Sequence, residues 1–194
     1  MSVVVIVRKE GEIAIASDRL TSRGSVVLGT EYKVEHPKLI KYHDTWIGCA
    51  SDDMAVHMIR HALHHSEEEF LFDSVENIYT SMLKLHEILK KRYYLDPKYR
   101  HTPKQTVESL NISLLIANSS GIYGVDEDKD IQQFSKFWAA GSGGMFAIGA
   151  MYHVYDKYDA AKIAELGVVS ACEFDEGSAL PIHIETVKEM TCQL

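Results

Sequence analysis

Three kinds of feature are scarce in this sequence of 194 residues: long apolar runs, clusters of Lys and Arg, and paired cysteines. Without an apolar run of about 20 residues or a positively charged apolar leader, we expect neither a membrane span nor a secretory signal. The formal net charge is −8, and no basic cluster is present to displace the counterions of a nucleic acid. We therefore predict a soluble cytoplasmic protein that binds neither membranes nor nucleic acid.

The cysteines form no recognisable framework. Cys49, Cys172 and Cys192 are an odd set without CxxC spacing, whereas disulfide scaffolds and zinc sites need regularly spaced pairs. We expect reduced thiols and no metal or other cofactor. The other candidate for metal binding is "HMIRHALHH", which places His57, His61 and His64 on one helical face, but no matching Cys or carboxylate accompanies them. We favour a subunit contact for this face.

Hydrophobic patterning divides the chain into strands and helices. The N-terminal segment predicts a hairpin with strands at Val3–Arg8 and Glu12–Ser17, and "PKLIKYHDTWIGCAS" predicts a second hairpin. Apolar spacings of three and four between Asp52 and Leu95 predict two helices, the second beginning near Asp73. The rest predicts strands at "LNISLLIAN", "GIYGV" and "IQQFSKFWAAG", two helices divided near Lys157, and a last strand at "PIHIETV".

The predicted order is four strands, two helices, three strands, two helices and one strand. It suits two antiparallel sheets stacked face to face with helices on the outside. The length and the 46% hydrophobic content allow one well-packed core. We predict a single α+β domain over residues 1–194, folded as a four-layer α/β/β/α sandwich.

Ser2 is the first candidate for chemistry. Removal of Met1 is efficient when the second residue is small, so the mature chain would present the Ser2 amine beside its own hydroxyl. An N-terminal amine has an unperturbed pKa of about 7.7 to 8.0, so near neutral pH it can accept the proton of the hydroxyl. The pattern alone is weak, because many chains begin with Met-Ser and use that serine for nothing.

Asp18 and Lys38 strengthen the case for Ser2. Asp18 ends the strand that pairs with the first one, so antiparallel pairing returns it towards the chain terminus. Lys38 begins the next apolar strand, and its ammonium would lower the pKa values of the Ser2 amine and hydroxyl while Asp18 held it in place. Singly, each is better explained as a turn aspartate or a surface lysine, but the combination in this order is more specific.

Three segments carry a family resemblance over nearly the whole chain. "SVVVIVRKEGEIAIASDR", "PKLIKYHDTWIGCAS" and "AAGSGGMFAIGAM" resemble the N-terminal hairpin, lysine strand and Gly-Ser-Gly loop of proteasome β-subunits and their bacterial relatives. The runs at residues 137–151 and 173–181 are most similar to the bacterial proteasome homologues. The resemblance implies an N-terminal-nucleophile (Ntn) hydrolase.

The resemblance also implies roles for individual residues. Ser2 replaces the usual threonine as nucleophile, with Asp18 and Lys38 as partners, although a longer spacing makes Lys33 a competing lysine. Ser142, Asp175 and Ser178 would complete the network around the terminus. The oxyanion-hole position falls at Ser51 or Asp52, where relatives carry glycine, and the negative charge of Asp52 and Asp53 opposes efficient turnover.

The same resemblance suggests how substrate would bind. A peptide would add as a strand beside Thr21 and Ser22 and place a side chain near Ala50 and Met54. Subunits of this family stack into closed double rings, so we expect a homo-oligomer acting on peptides or unfolded proteins, with any ATP-dependent unfoldase a separate protein. Two alternatives stay open: a ring subunit without turnover, and an amidase acting on a small amide.

Overall fold

The computed structural model describes residues 2–32, 38–96, 108–110 and 112–190. Its strands and helices are β1 (Val4–Lys9), β2 (Glu12–Asp18), β3 (Thr21–Arg23), β4 (Val26–Leu28), β5 (Leu39–Tyr42), β6 (Thr45–Cys49), α1 (Asp53–His65), α2 (Val75–Arg92), β7 (Leu114–Asn118), β8 (Gly121–Val125), β9 (Ile131–Phe134), β10 (Phe137–Ala140), α3 (Gly144–Val154), α4 (Ala160–Phe174) and β11 (Ile182–Lys188). A short 3₁₀ helix spans Thr30–Tyr32.

Two antiparallel sheets form the centre of the fold. The first sheet has the strand order β10-β1-β2-β11 and the second has the order β5-β6-β7-β8-β9. Alternate side chains of β1 point to opposite faces, so Val4 and Ile6 pack against the second sheet while Val5 and Val7 pack under α3 and α4. Burial on both faces explains why this strand is an unbroken apolar run.

Helices cover the outer face of each sheet. The pair α3 and α4 packs on the first sheet, and the pair α1 and α2 packs on the second. The sandwich of two sheets between two helical layers confirms the predicted α+β fold. Within the described ranges, no helix is long and apolar enough to cross a membrane.

One predicted strand is wrong. The segment from Ile131 to Gly141 is two strands, with β9 paired to β8 in the second sheet and β10 paired to β1 in the first. Ser135 and Lys136 carry the chain between the sheets, and the Lys136 carbonyl accepts a hydrogen bond from the Arg8 N–H at 2.6 Å. Both strands are rich in apolar and aromatic residues, so composition alone does not reveal that they belong to different layers.

The segment between the two predicted hairpins holds a third one. Strands β3 and β4 pair from Thr21 with Leu28 to Arg23 with Val26, around a turn in which Gly24 has φ of +62°. Most of their side chains are exposed, so the half-buried alternation that marks a strand is missing.

Helix α2 begins at Val75, close to the prediction, with Ser74 accepting a hydrogen bond from the Asn77 N–H at 3.3 Å.

Candidate active site

Ser2 lies immediately before β1 and is enclosed by the loop between β10 and α3. The Ser2 residue is 1% exposed, and its carbonyl oxygen accepts hydrogen bonds from the Gly143 N–H at 3.3 Å and the Ser142 hydroxyl at 3.4 Å. Gly141, at φ +94°, lies so close that any side chain there would overlap that carbonyl. The Ser2 hydroxyl is buried and has no hydrogen-bond partner among the described residues, so its hydrogen-bonding capacity is unused in this structure.

Asp18 lies beside the start of β1 because the β1–β2 register opposes Val4 to Ser17. Its carboxylate is fully buried and accepts hydrogen bonds from the backbone N–H groups of Val3 at 3.0 Å and Leu20 at 2.9 Å. The carboxylate is thereby fixed against the segment that carries Ser2, and its orientation is set by the backbone.

Lys38 reaches Asp18 from the second sheet. Its Nζ lies 2.7 Å from Asp18 Oδ1 and 2.6 Å from Oδ2, and only 3% of Lys38 is exposed. Two charges can be buried together only when each is well satisfied, and Asp18 meets that condition with its two further backbone donors. The ion pair joins the two sheets next to Ser2. The competing Lys33 lies outside the described residues, as does Met1.

A second carboxylate network lies on the other side of the Ser2 carbonyl. Asp175 is the C-cap of α4, and its Oδ2 accepts hydrogen bonds from the hydroxyls of Ser142 at 2.9 Å and Ser178 at 2.6 Å. Gly143 packs so tightly that an added side chain would crowd both Ala171 and Ser178. The three predicted residues of the Gly-Ser-Gly loop and the late run therefore come together next to Ser2.

The segment between β6 and α1 forms the third wall around Ser2. A side-chain carbon placed on Gly141 would lie 3.4 Å from Ala50 Cβ, so Ala50 adjoins the same loop that holds Ser2. Burial raises the pKa of the neighbouring Cys49 thiol to about 12, against a smaller opposing effect of a hydrogen bond from the Ser51 backbone. Asp52 is the N-cap of α1, where the positive end of the helix dipole lies.

A cleft of about 590 Å³, which we call the front cleft, opens between these walls. It includes four of the predicted substrate-binding residues and several that the sequence analysis did not single out. Its lining consists of Leu20, Thr21, Ser22, Gly24, Ser25, Val27, Ser51, Asp52, Asp53, Glu176 and Gly177. The predicted Ala50 and Met54 do not line it, and Met54 is 58% exposed in the first turn of α1.

Glu176 could have been found from the sequence, because it stands between Asp175 and Ser178 in the "EFDEGSALP" run. The position of Asp53 in the cleft depends on where α1 begins, which the apolar pattern does not fix.

The histidine face of α1 is not arranged as a metal site. His61 stacks on His65 with ring centroids 4.2 Å apart, while His64 packs beside Tyr42. Across the described parts of the chain, no group of three or more His, Cys, Asp or Glu side chains is placed to hold a metal ion. The free thiols of Cys49 and Cys172 are separate from one another, and Cys192 lies outside the described residues.

Comparison with known proteins gives a consistent set of relatives. Two solved structures of Thiobacillus denitrificans BPH are each 36% identical to this chain, and the match covers 97% of this chain and 99% of theirs. One superposes with a TM-score of 0.90, and the other, a complex with epoxomicin, with a TM-score of 0.88. A proteasome subunit beta from Nanoarchaeum equitans is 26% identical over 96% of this chain and 93% of its own. HslV from Trypanosoma brucei shares the fold. It is 20% identical, covers 96% of this chain and 99% of its own, and superposes with a TM-score of 0.65. No family model matches the chain.

Proposed function

Because the chain belongs to the proteasome β-subunit-like family of Ntn hydrolases, we propose that Ser2, its amine freed by removal of Met1, is the nucleophile of a peptidase. The observation that carries this proposal is the buried, unpartnered Ser2 hydroxyl beside the buried Lys38–Asp18 ion pair. An unpaired buried hydroxyl costs folding free energy, and a role in chemistry accounts for its retention.

The reaction proceeds through an acyl-enzyme. Ser2 Oγ attacks the scissile carbonyl carbon while the Ser2 amine accepts the hydroxyl proton. The tetrahedral intermediate collapses, the C–N bond breaks, and the proton passes to the departing amine. Water, deprotonated by the same Ser2 amine, then attacks the ester and releases the acid product with Ser2 restored.

Lys38 and Asp18 make the nucleophile reactive in this scheme. The ammonium of Lys38 stabilises the negative charge that develops on Ser2 Oγ, and by like-charge repulsion it favours the neutral form of the Ser2 amine. Asp18 binds both the Lys38 ammonium and the Val3 N–H, so it aligns the cation with the chain terminus. No atom of Asp18 needs to react.

Asp52 is the better of the two oxyanion-hole candidates. The Ser51 backbone already bonds to the Cys49 thiol, and the Asp52 N–H precedes the first turn of α1, where backbone donors point outwards and the dipole is positive. This field offsets part of the repulsion from the carboxylates of Asp52 and Asp53. The Ser142 hydroxyl binds the Ser2 carbonyl and is held in turn by Asp175, to which Ser178 also donates. In this scheme these residues place a hydroxyl next to the freed amine.

Peptide substrate enters the front cleft in this proposal. An extended chain adds beside Thr21 and Ser22, and main-chain hydrogen bonds to that edge set its register, while a side chain passes towards Ala50 and Met54. Copies of this domain, residues 1–194, assemble into stacked cytoplasmic rings whose chambers admit peptides or unfolded chains. A separate ATP-dependent unfoldase supplies folded substrates where one is needed.

The proposal is tested by the Ser2→Ala and Ser2→Thr variants of the full chain. We expect the purified protein to lack Met1 and to release fluorophore from unstructured peptides. Ser2→Ala should abolish this release at an equal or higher melting temperature, because the unpaired buried hydroxyl is removed. Ser2→Thr should keep the release. Threonine should match or exceed serine because its methyl group restricts the rotation that aims the hydroxyl. Unchanged hydrolysis by Ser2→Ala would contradict the proposal.

A subunit without turnover is the second candidate, because two carboxylates lie at the oxyanion side of the site. It predicts ring assembly, no hydrolysis by either the unsubstituted chain or its Ser2→Thr variant, and no covalent capture by a peptide vinyl sulfone or β-lactone. A hydrolysing chain that accepts only small amides would instead indicate the amidase alternative.

A further inference from the structure

The front cleft has an unbalanced charge. Asp52, Asp53 and Glu176 all line it, and the other lining residues are neutral. The carboxylates come from two separate segments, the start of α1 and the loop after α4, so they stand on more than one side of the opening. Among the described residues that line the cleft, none is Lys or Arg.

Three segments that line the cleft adjoin the surroundings of the candidate nucleophile, while Ser2 itself is not among the lining residues. Thr21 and Ser22 follow Leu20, whose N–H binds Asp18. Ser51 and Asp52 follow Ala50, which adjoins the Gly141 loop around Ser2. Glu176 and Gly177 lie between Asp175 and Ser178 in the chain. The Asp175 carboxylate accepts hydrogen bonds from the hydroxyls of Ser178 and Ser142, and the Ser142 hydroxyl also lies 3.4 Å from the Ser2 carbonyl oxygen. Each of these lining segments is therefore next in the chain to residues that surround the buried, unpartnered Ser2 hydroxyl, so the three carboxylates lie in the neighbourhood of that site.

The positively charged residues that precede or follow the lining segments in the chain do not line the cleft. Lys38 is buried in its ion pair with Asp18, so it does not neutralise the opening. Arg19 precedes β3 and Arg23 is its last residue, and neither is among the residues that line the cleft. The charged residues that line the cleft are thus all carboxylates.

We propose that the front cleft selects peptides with a Lys or Arg side chain next to the scissile bond. This inference rests on the proposed function and names Asp53 and Glu176, together with Asp52, as its specificity-determining residues. A cationic side chain gains attraction from all three carboxylates and also offsets their repulsion of the developing oxyanion, whereas an acidic side chain adds to that repulsion. The same charges that oppose catalysis with a neutral peptide therefore favour it with a cationic one.

Binding is measured with the full-length Ser2→Ala protein, which keeps the cleft and removes the chemistry. Three fluorescein-labelled peptides of one sequence carry Lys, norleucine or Glu at a single central position, and anisotropy gives each Kd. We expect the Lys peptide to bind about tenfold more tightly than the norleucine peptide at about 20 mM salt, with a smaller preference at about 200 mM. The Glu peptide should bind most weakly.

Two double variants assign the preference to the cleft. Asp53→Asn/Glu176→Gln should reduce it to about threefold or less, since two of the three carboxylates are lost. Glu67→Gln/Glu69→Gln changes the net charge equally at exposed positions that do not line the cleft, and it should leave the preference intact. Equal Kd values for the three peptides, no binding of any of them, or equal losses in the two double variants would each overturn the inference.

The nucleophile proposal and the charge preference are overturned by different results. If the Lys peptide is preferred but no electrophile modifies Ser2 in the unsubstituted chain, the nucleophile proposal is wrong and the cleft preference stands. If electrophiles capture Ser2 at the same rate whether their peptide carries Lys, norleucine or Glu, the nucleophile stands and the charge preference is wrong.

Discussion

The two helical layers differ in the size of the side chains they bury. Under α3 and α4 most of the buried helix residues are small, namely Gly144, Ala147, Ala160, Ala164, Gly167 and Ala171. The larger ones are Met151, Ile163 and Val168. Under α1 and α2 they are mostly large: Ile59, Leu63, Ile78, Met82, Leu85, Ile88 and Leu89, with Phe70 and Phe72 from the connecting segment.

Small side chains let a helix approach its sheet closely. The layer of α3 and α4, which buries the small side chains, is also the layer next to the candidate site. The C-terminal end of α4 brings Asp175 against the Gly-Ser-Gly loop, where Gly143 leaves no room for a side chain beside Ala171. The opposite layer fills its space with apolar volume, which contributes stability. We infer that substitutions around the first sheet alter the chemistry, whereas those under α1 and α2 alter stability alone.

The largest effect is expected from Lys38→Met. Removal of the cation leaves Asp18 charged and buried, which costs about 3–5 kcal/mol of unfolding free energy, and capture of Ser2 by a β-lactone should fall below detection. Urea unfolding and intact mass measure the two effects. The matched variant Lys38→Met/Asp18→Asn should recover much of the stability without the reactivity, and recovery of capture would contradict the role given to Lys38.

Gly141→Ala should act on the chemistry next most strongly. The added methyl group would overlap the Ser2 carbonyl, and φ of +94° is strained for alanine. A shift of the nucleophile by about 1 Å can slow capture roughly 100-fold. Gly149→Ala is the control, because nothing lies within 4 Å of that position in α3; it should leave the rate unchanged and raise stability by up to about 1 kcal/mol. Equal rates in the two variants would show that the loop does not position Ser2.

Leu85→Ala tests the opposite layer. Leu85 is 1% exposed in the core beneath α2, so the cavity should cost about 2–5 kcal/mol of unfolding free energy. Below its melting temperature the variant should capture a β-lactone at the unsubstituted rate. A large loss of rate in a folded sample would show that the second layer also controls the site, against the proposed division.

His86→Gln should have the smallest effect, visible only as pH dependence. Burial and, less strongly, Lys129 lower the pKa of His86, against the raising effect of Glu108 at 3.1 Å. The unfolded chain therefore binds a proton more readily than the folded one, so this histidine's contribution to stability is present above about pH 6.5 and is lost as the pH falls. The variant should flatten the decline in unfolding free energy from pH 7 to pH 5, by less than about 1 kcal/mol, as urea unfolding at each pH would measure. An equally steep decline would mean that other groups cause it.

The sequence predicted the parts of the site that depend on local order. Asp18 ends a strand whose pairing with β1 follows from one tight hairpin, and Ser142 follows from the Gly-Ser-Gly motif. The contact of Lys38 with Asp18 spans the two sheets, and it was expected from the order of these residues together with the family resemblance. Other features that depend on packing between layers were missed. The crossing at Ser135 and Lys136 has no turn signal beyond two polar residues. Asp53 was expected near the oxyanion-hole position, but its place in one cleft with residues of β3 and with Glu176 is seen only in the fold.

The measurement that tests the central claim most directly uses a peptide α′,β′-epoxyketone, whose two adjacent electrophilic groups can react with a hydroxyl and an amine of the same residue. Intact mass followed by fragmentation of the N-terminal peptide locates the adduct. The account predicts one inhibitor per chain, bound through both Oγ and the amine of Ser2 with Met1 absent, and no adduct in Ser2→Ala. A chain that has lost Met1, is folded and remains unmodified at saturating inhibitor would contradict it.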